Sequence, residues 1–233
     1  RYRSSAASDV YKRQSEHNSS SIRGLSLDLN DQPVSNIAWQ DAALFCNWLS
    51  EKENLPKFYN VVDDRVTSIN WDSNGYRLPT ESEWSWVAKV TKAGSTKVFP
   101  WNSPSYPPSF VSGNYADESA KSMLPFTISN YNDSFPVSAS VGSFQPNEKG
   151  IFNLSGNVAE WVNDFYEIRV NKSEPLVDYR GPNTGNRHVI RGASWALGSR
   201  SELRLSYREP GYDGKIDVGF RIARYVDKPK GDL

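Results

Sequence analysis

Cysteine occurs once in this chain of 233 residues, at Cys46, so no internal disulfide can form. Histidine occurs twice, at His17 and His188, too few for a three-histidine metal centre within the chain. Net charge is also missing. Twenty-seven Lys and Arg balance 27 Asp and Glu, which leaves no basic footprint for nucleic acid or an anionic membrane surface. No run of 18 apolar residues exists, so the sequence implies no helical membrane insertion.

What the chain has instead is aromatic and turn-forming residues. Eight Trp, 12 Tyr, 15 Gly and 14 Pro at a mean hydropathy of −0.64 suggest a loop-rich domain pinned by buried rings. The length suits one domain. Residues 1–14 stand apart. Asp9 to Gln14 read Asp-Val-Tyr-Lys-Arg-Gln, which a common transposon-end sequencing adapter encodes in frame. Residues 1–14 are therefore set aside as adapter-derived or, alternatively, a disordered Ser/Arg-rich tail. The working domain is 15–233, taken as N-terminally truncated.

Periodicity predicts a helix from Trp39 to Glu51, with Trp39, Ala42, Ala43, Cys46 and Leu49 on one buried stripe. Cys46 on that stripe reads as a small core residue rather than a reactive thiol. Residues 57–71 alternate like a hairpin. Thr80 and Glu83 form a capping box after Pro79, which starts a helix running to about Lys92. Glu81 and Glu83, two apart, do not face each other and read as helix-start residues rather than as an acid/base pair. From Phe99 to Gly150 no period persists. Short strands are expected at 156–162, His188–Arg191 and 218–225, with residues 196–217 as a loop.

Three motifs stand in order: GYRLPTESEW (75–84), NLSGNVAEWV (153–162) and RGASW…VGFRIAR (191–195 and 218–224). Together they resemble the sulfatase-modifying factor family, which includes the formylglycine-generating enzymes. The resemblance runs from about Gln32 to Tyr225. It implies an α+β, C-type-lectin-like fold, low in regular secondary structure and stabilised by calcium.

The resemblance also implies site residues. One calcium set falls on Asn153, Gly156, Val158 and Glu160, and another on Asn114, Tyr115, Asp133 and Phe135. Amide, carbonyl and carboxylate oxygens suit that hard cation, although Asn114 and Asp133 also read as ordinary turn residues. Copper is not implied. The family's enzymes hold Cu(I) on a Cys-x4-Cys pair three residues after the Ser of a Gly-Gly-Ser-aromatic turn, and the count from Ser194 lands on Leu197 and Glu202.

Around that turn, Ser194, Trp195, Arg200, Glu202 and Arg208 form a candidate ligand-binding set, suited to a peptide, a protein or a polar small molecule. Arg204 and Arg208 read equally well as ion-paired ties that pin the loop. The expectation is a non-catalytic, calcium-stabilised binding module, with formylglycine-generating activity disfavoured. The alternative is the substrate-binding half of a non-haem iron oxygenase of the sulfoxide-synthase type, its metal domain lying outside this chain. His188 reads as a surface or capping residue. Weak calcium sites lean the localisation toward the outside of the cytoplasm.

Overall fold

The computed structural model describes residues 20–101, 103–168 and 178–226; residues 1–14 lie outside that range. Among the described residues, two α-helices and eight short strands make an α+β fold in which most of those residues are irregular. β1 (Ser21–Ile22) and β2 (Leu25–Ser26) form a small ribbon. No helix among the described residues is long and apolar enough to cross a membrane.

Helix α1 (Trp39–Lys52) follows the apolar stripe and buries Trp39, Ala42, Ala43, Phe45, Cys46 and Asn47. Ser50, not Leu49, is the buried residue at its end. The Ser50 hydroxyl accepts the Tyr76 N–H at 2.7 Å and ties the helix to the motif that follows. β3 (Tyr59–Val62) and β4 (Arg65–Ile69) are the expected hairpin, bulged between Asn60 and Val61. Helix α2 (Glu81–Lys89) starts on the predicted box: Thr80 Oγ1 accepts from Glu83 N at 3.1 Å, and Glu83 Oε2 accepts from Thr80 N at 2.8 Å. It ends at Lys89, short of the expected Lys92, where Val90 turns extended and bridges Thr96.

The main sheet holds β5 (Ala159–Phe165), β6 (His188–Arg191), β7 (Arg208–Gly211) and β8 (Val218–Phe220) in the order β7-β6-β5-β8. β5 and β8 run parallel, and the other pairs are antiparallel. β7 lies inside the segment expected to be loop. Pro210 is tolerated because β7 is an edge strand, and glycine is needed at 211, where a Cβ would lie 2.0 Å from the Trp161 ring.

The core is aromatic. Trp39, Cys46, Phe58, Tyr59, Trp161 and Ile190 fill one cluster between α1 and the sheet. A second cluster, built on Phe99, Trp101, Tyr115, Ile128, Tyr131 and Leu203, gives the irregular stretch its interior.

Candidate functional site

Around Ser194 the five ligand-set residues take different positions among the described residues. Ser194 and Trp195 are buried, and the Ser194 hydroxyl donates to Asp217 Oδ2 at 2.6 Å. The Trp195 indole packs with Leu27, Val137 and Val158. Glu202 turns inward on its own loop and accepts Ser199 N at 2.9 Å and Gly198 N at 3.3 Å. Arg200 is exposed on that same turn. Arg208 sits on β7, paired with Glu81, and of the five it alone borders the cavity of about 250 Å³ beside Glu81, Ser85 and Tyr179. Neighbours in sequence here alternate between interior and surface, so proximity along the chain does not make a shared face.

The two positions aligned with the thiolates are both engaged structurally. Leu197 packs against the cluster of Phe99, Trp101 and Tyr115. Glu202 caps the turn that follows. Cys46 is fully buried in the other cluster, where burial pushes its thiol up.

The two expected calcium sets meet in space. Gly156, at φ +99°, lies against Asn114, and a Cβ there would stand 2.9 Å from the Asn114 carbonyl oxygen. Asn157 stitches the segments together. Its N–H donates to Asn114 O at 2.9 Å, and its side chain exchanges hydrogen bonds with the backbone of Ala139. Val158 packs in the cluster with Trp195.

Glu160 and Asn153 face a cation that the chain itself supplies. Arg221 Nε donates to Glu160 Oε2 at 2.7 Å and Nη2 donates to Oε1. The same Nη2 reaches the carbonyls of Phe152 at 3.1 Å and Asn153 at 3.4 Å. Trp84 Nε1 adds a bond to Glu160 Oε2 at 2.7 Å. The Arg221 guanidinium thus meets two members of the expected set, Glu160 and Asn153.

Asn114 is different. Its Nδ2 donates to Val137 O at 2.8 Å, while its buried Oδ1 has no hydrogen-bond partner among the described residues. Asp133 Oδ2 accepts Tyr115 N at 2.9 Å, and Oδ1 accepts Phe135 N at 2.8 Å. Beside it lies Asp117, fully buried, whose Oδ2 accepts the Asp133 N–H. Burial, with Asp117 adding repulsion, pushes the Asp133 carboxyl up to about 7. Two buried carboxylates and an orphan amide oxygen with no cation paired among the described residues form a donor set that fits a hard cation. Those residues gather no trio of Asp, Glu, His or Cys side chains for a metal, so any ion here would draw on amide and carbonyl oxygens as well.

His188 is neither a surface nor a capping residue. Its ring stacks on Trp39 at 3.6 Å and leans on Phe165 at 4.3 Å, and burial lowers it to about 4. Sequence reasoning missed Asp117, Arg221 and Asp164. Only an Asp-x-Ser turn signal marked Asp117, and nothing local pointed to its contact 16 residues away.

Comparison with known proteins agrees with this architecture. The family model for the sulfatase-modifying factor enzyme 1-like domain matches residues 2–226, which takes in most of the segment 1–14. A formylglycine-generating enzyme of Streptomyces coelicolor is 27% identical over 207 residues, covering 86% of this chain and 55% of the enzyme. This chain therefore spans about half the length of that relative. A chaperone protein, LppX, of Paenibacillus barcinonensis is 31% identical over 221 residues, covering 83% of this chain and 70% of the relative. Among solved structures, Treponema denticola variable protein 1 superposes with a TM-score of 0.69 at 26% identity, over 95% of this chain and 81% of that one.

Proposed function

The chain belongs to the sulfatase-modifying factor enzyme 1-like family, and from that premise we propose that it is a calcium-stabilised binding module without oxidase chemistry. The observation that carries the metal half is the orphan Oδ1 of Asn114 beside the buried carboxylates of Asp133 and Asp117. Asn114, Tyr115, Asp133 and Phe135 would hold the ion, with Asp117 as an added charge. Calcium would neutralise two carboxylates that burial otherwise penalises. Arg221 already meets the charge of Glu160, so a single calcium is assigned, at Asn114.

The binding half rests on the absence of thiolates at 197 and 202 and on the relatives. One of these, LppX, is named a chaperone and so points to a peptide or protein partner.

The test is thermal unfolding of the full chain in EDTA, then with calcium or magnesium added. Calcium at about 100 Kd should stabilise by roughly 2.7 kcal/mol, and magnesium by less. Identical melting curves across the three conditions would remove the metal.

A further inference from the structure

A cleft of about 820 Å³ opens along α2, with none of the 196–217 segment in its walls. Residues of α2 form one wall, residues 221–225 another, and Asp178 and Arg180 a third. Leu154 and Trp84 contribute buried apolar surface to its lining. A volume in this range suits a small ligand or a short peptide segment.

Its arginines divide into two kinds. Arg77 is nearly fully buried and forks onto Glu83 at 2.6 Å through both Nη atoms, and Arg221 forks onto Glu160. These two are committed. Arg180 and Arg224 are exposed, and among the described residues neither pairs with a carboxylate. Each is instead laid against an aromatic ring: Arg180 over Trp71 at 4.2 Å, and Arg224 over Tyr76 at 5.5 Å. A guanidinium held by its face keeps its N–H edge free, and that edge matches a carboxylate or other planar oxyanion. The aromatic support also lowers the entropy lost when the fork closes on a ligand.

On the α2 wall of the same cleft stands Trp86, 58% exposed, its ring capped on one side by Lys149. An indole left so open on a cleft wall offers a stacking face to a flat apolar group. Asp178 is the one uncommitted acid in the lining, against two uncommitted guanidiniums.

We infer that this cleft binds an organic anion with a flat apolar body, its carboxylate on Arg180 and Arg224 and its ring on Trp86. The inference deepens the binding-module reading and rests on it, but it needs no calcium.

The test uses the full chain, calcium-saturated, titrated with 1-naphthoate and followed by the Trp indole N–H signals in heteronuclear NMR. Acetate supplies the charge without the ring, and 1-naphthalenemethanol the ring without the charge. Naphthoate should bind at least tenfold more tightly than either. Arg180→Ala combined with Arg224→Ala should weaken it at least tenfold, as should Trp86→Ala, whereas Arg65→Ala on the β3–β4 hairpin should leave it unchanged. Failure of naphthoate to bind the wild type, equal binding of the alcohol, or undiminished binding by the double variant would each overturn the inference. The calcium-dependent rise in melting temperature, measured on the same samples, reads the folding of the variants and tests the metal separately.

Discussion

Arg208 clasps Glu81 with a two-pronged ion pair, Nε to Oε1 at 2.8 Å and Nη2 to Oε2 at 2.7 Å, joining residues 127 positions apart. The pair fastens edge strand β7 to the first turn of α2. Arg208 also donates to Glu167 O at 2.7 Å and lies over the Tyr166 ring. Among the described residues, the ion pair left to Glu81 if Arg208 were lost is that with Arg191, at 3.5 Å.

Arg208→Ala should therefore cost about 2–3 kcal/mol, less than a fully buried pair because both side chains retain some solvent contact. Arg208→Lys should fall between, keeping the charge and losing the fork. Urea unfolding of Arg208→Ala, Glu81→Gln and the double variant would give the coupling energy. A loss under about 0.5 kcal/mol for Arg208→Ala would return the residue to the recognition set.

The part of this design that could be read from the sequence is the part set by near neighbours. Thr80 and Glu83 announce a helix start because their partners are three residues apart, and the Trp39–Cys46 stripe follows from helical period alone. β7 was hidden because Pro210 and Gly211 carry loop signals, while their strand geometry answers to Trp161, distant in sequence. Arg221 read only as part of a family motif. The parallel register that sets Gly219 against Glu160 is what brings its guanidinium to that carboxylate. In the Ser194–Arg208 set, too, distant partners decide each position: Trp195 packs with Leu27, Val137 and Val158, while Arg208 is held by Glu81.

At the thiolate positions a negative result is expected. The full chain, given a sulfatase-type Cys peptide with oxygen and copper, should form no peptide aldehyde above a no-enzyme control by mass spectrometry. Leu197 offers no donor and Glu202 a hard one, neither suited to Cu(I). Changing both to Cys should not be sufficient, since Leu197 is packed on aromatic rings and Glu202 caps its turn.

The two carboxylates assigned to calcium in the sequence should now behave differently. Asp133→Asn should abolish most of the calcium-dependent rise in melting temperature, because it removes an ion ligand. Glu160→Gln should lower stability by several kcal/mol with or without calcium, because it strips the partner from a largely buried guanidinium. A calcium response that survives Asp133→Asn and disappears in Glu160→Gln would reverse the assignment.

Asp164 supplies the pH dependence. It is nearly fully buried, one oxygen accepts the Glu81 N–H at 2.8 Å, and the other has no hydrogen-bond partner among the described residues. Burial, with Glu81 and Glu83 adding repulsion, raises the carboxyl from 3.8 to about 7. Between those values the folded protein holds a proton that the unfolded chain has released. The stability from this group is therefore full below about pH 4 and is lost as pH rises through 7. His188 runs the other way. Lowered to about 4, it sheds a proton that the unfolded chain keeps below 6.5, so its contribution is lost as pH falls. The two offset each other in the wild type. Asp164→Asn keeps an acceptor for Glu81 N–H and removes the titration. Its stability relative to the wild type should be higher at pH 8 than at pH 4, by up to roughly 4 kcal/mol. Taking the difference between the two proteins cancels the titration of the other groups. Urea unfolding at pH 4, 6 and 8 measures it, and a difference that stays constant with pH would mean that Asp164 titrates alike in the folded and unfolded protein.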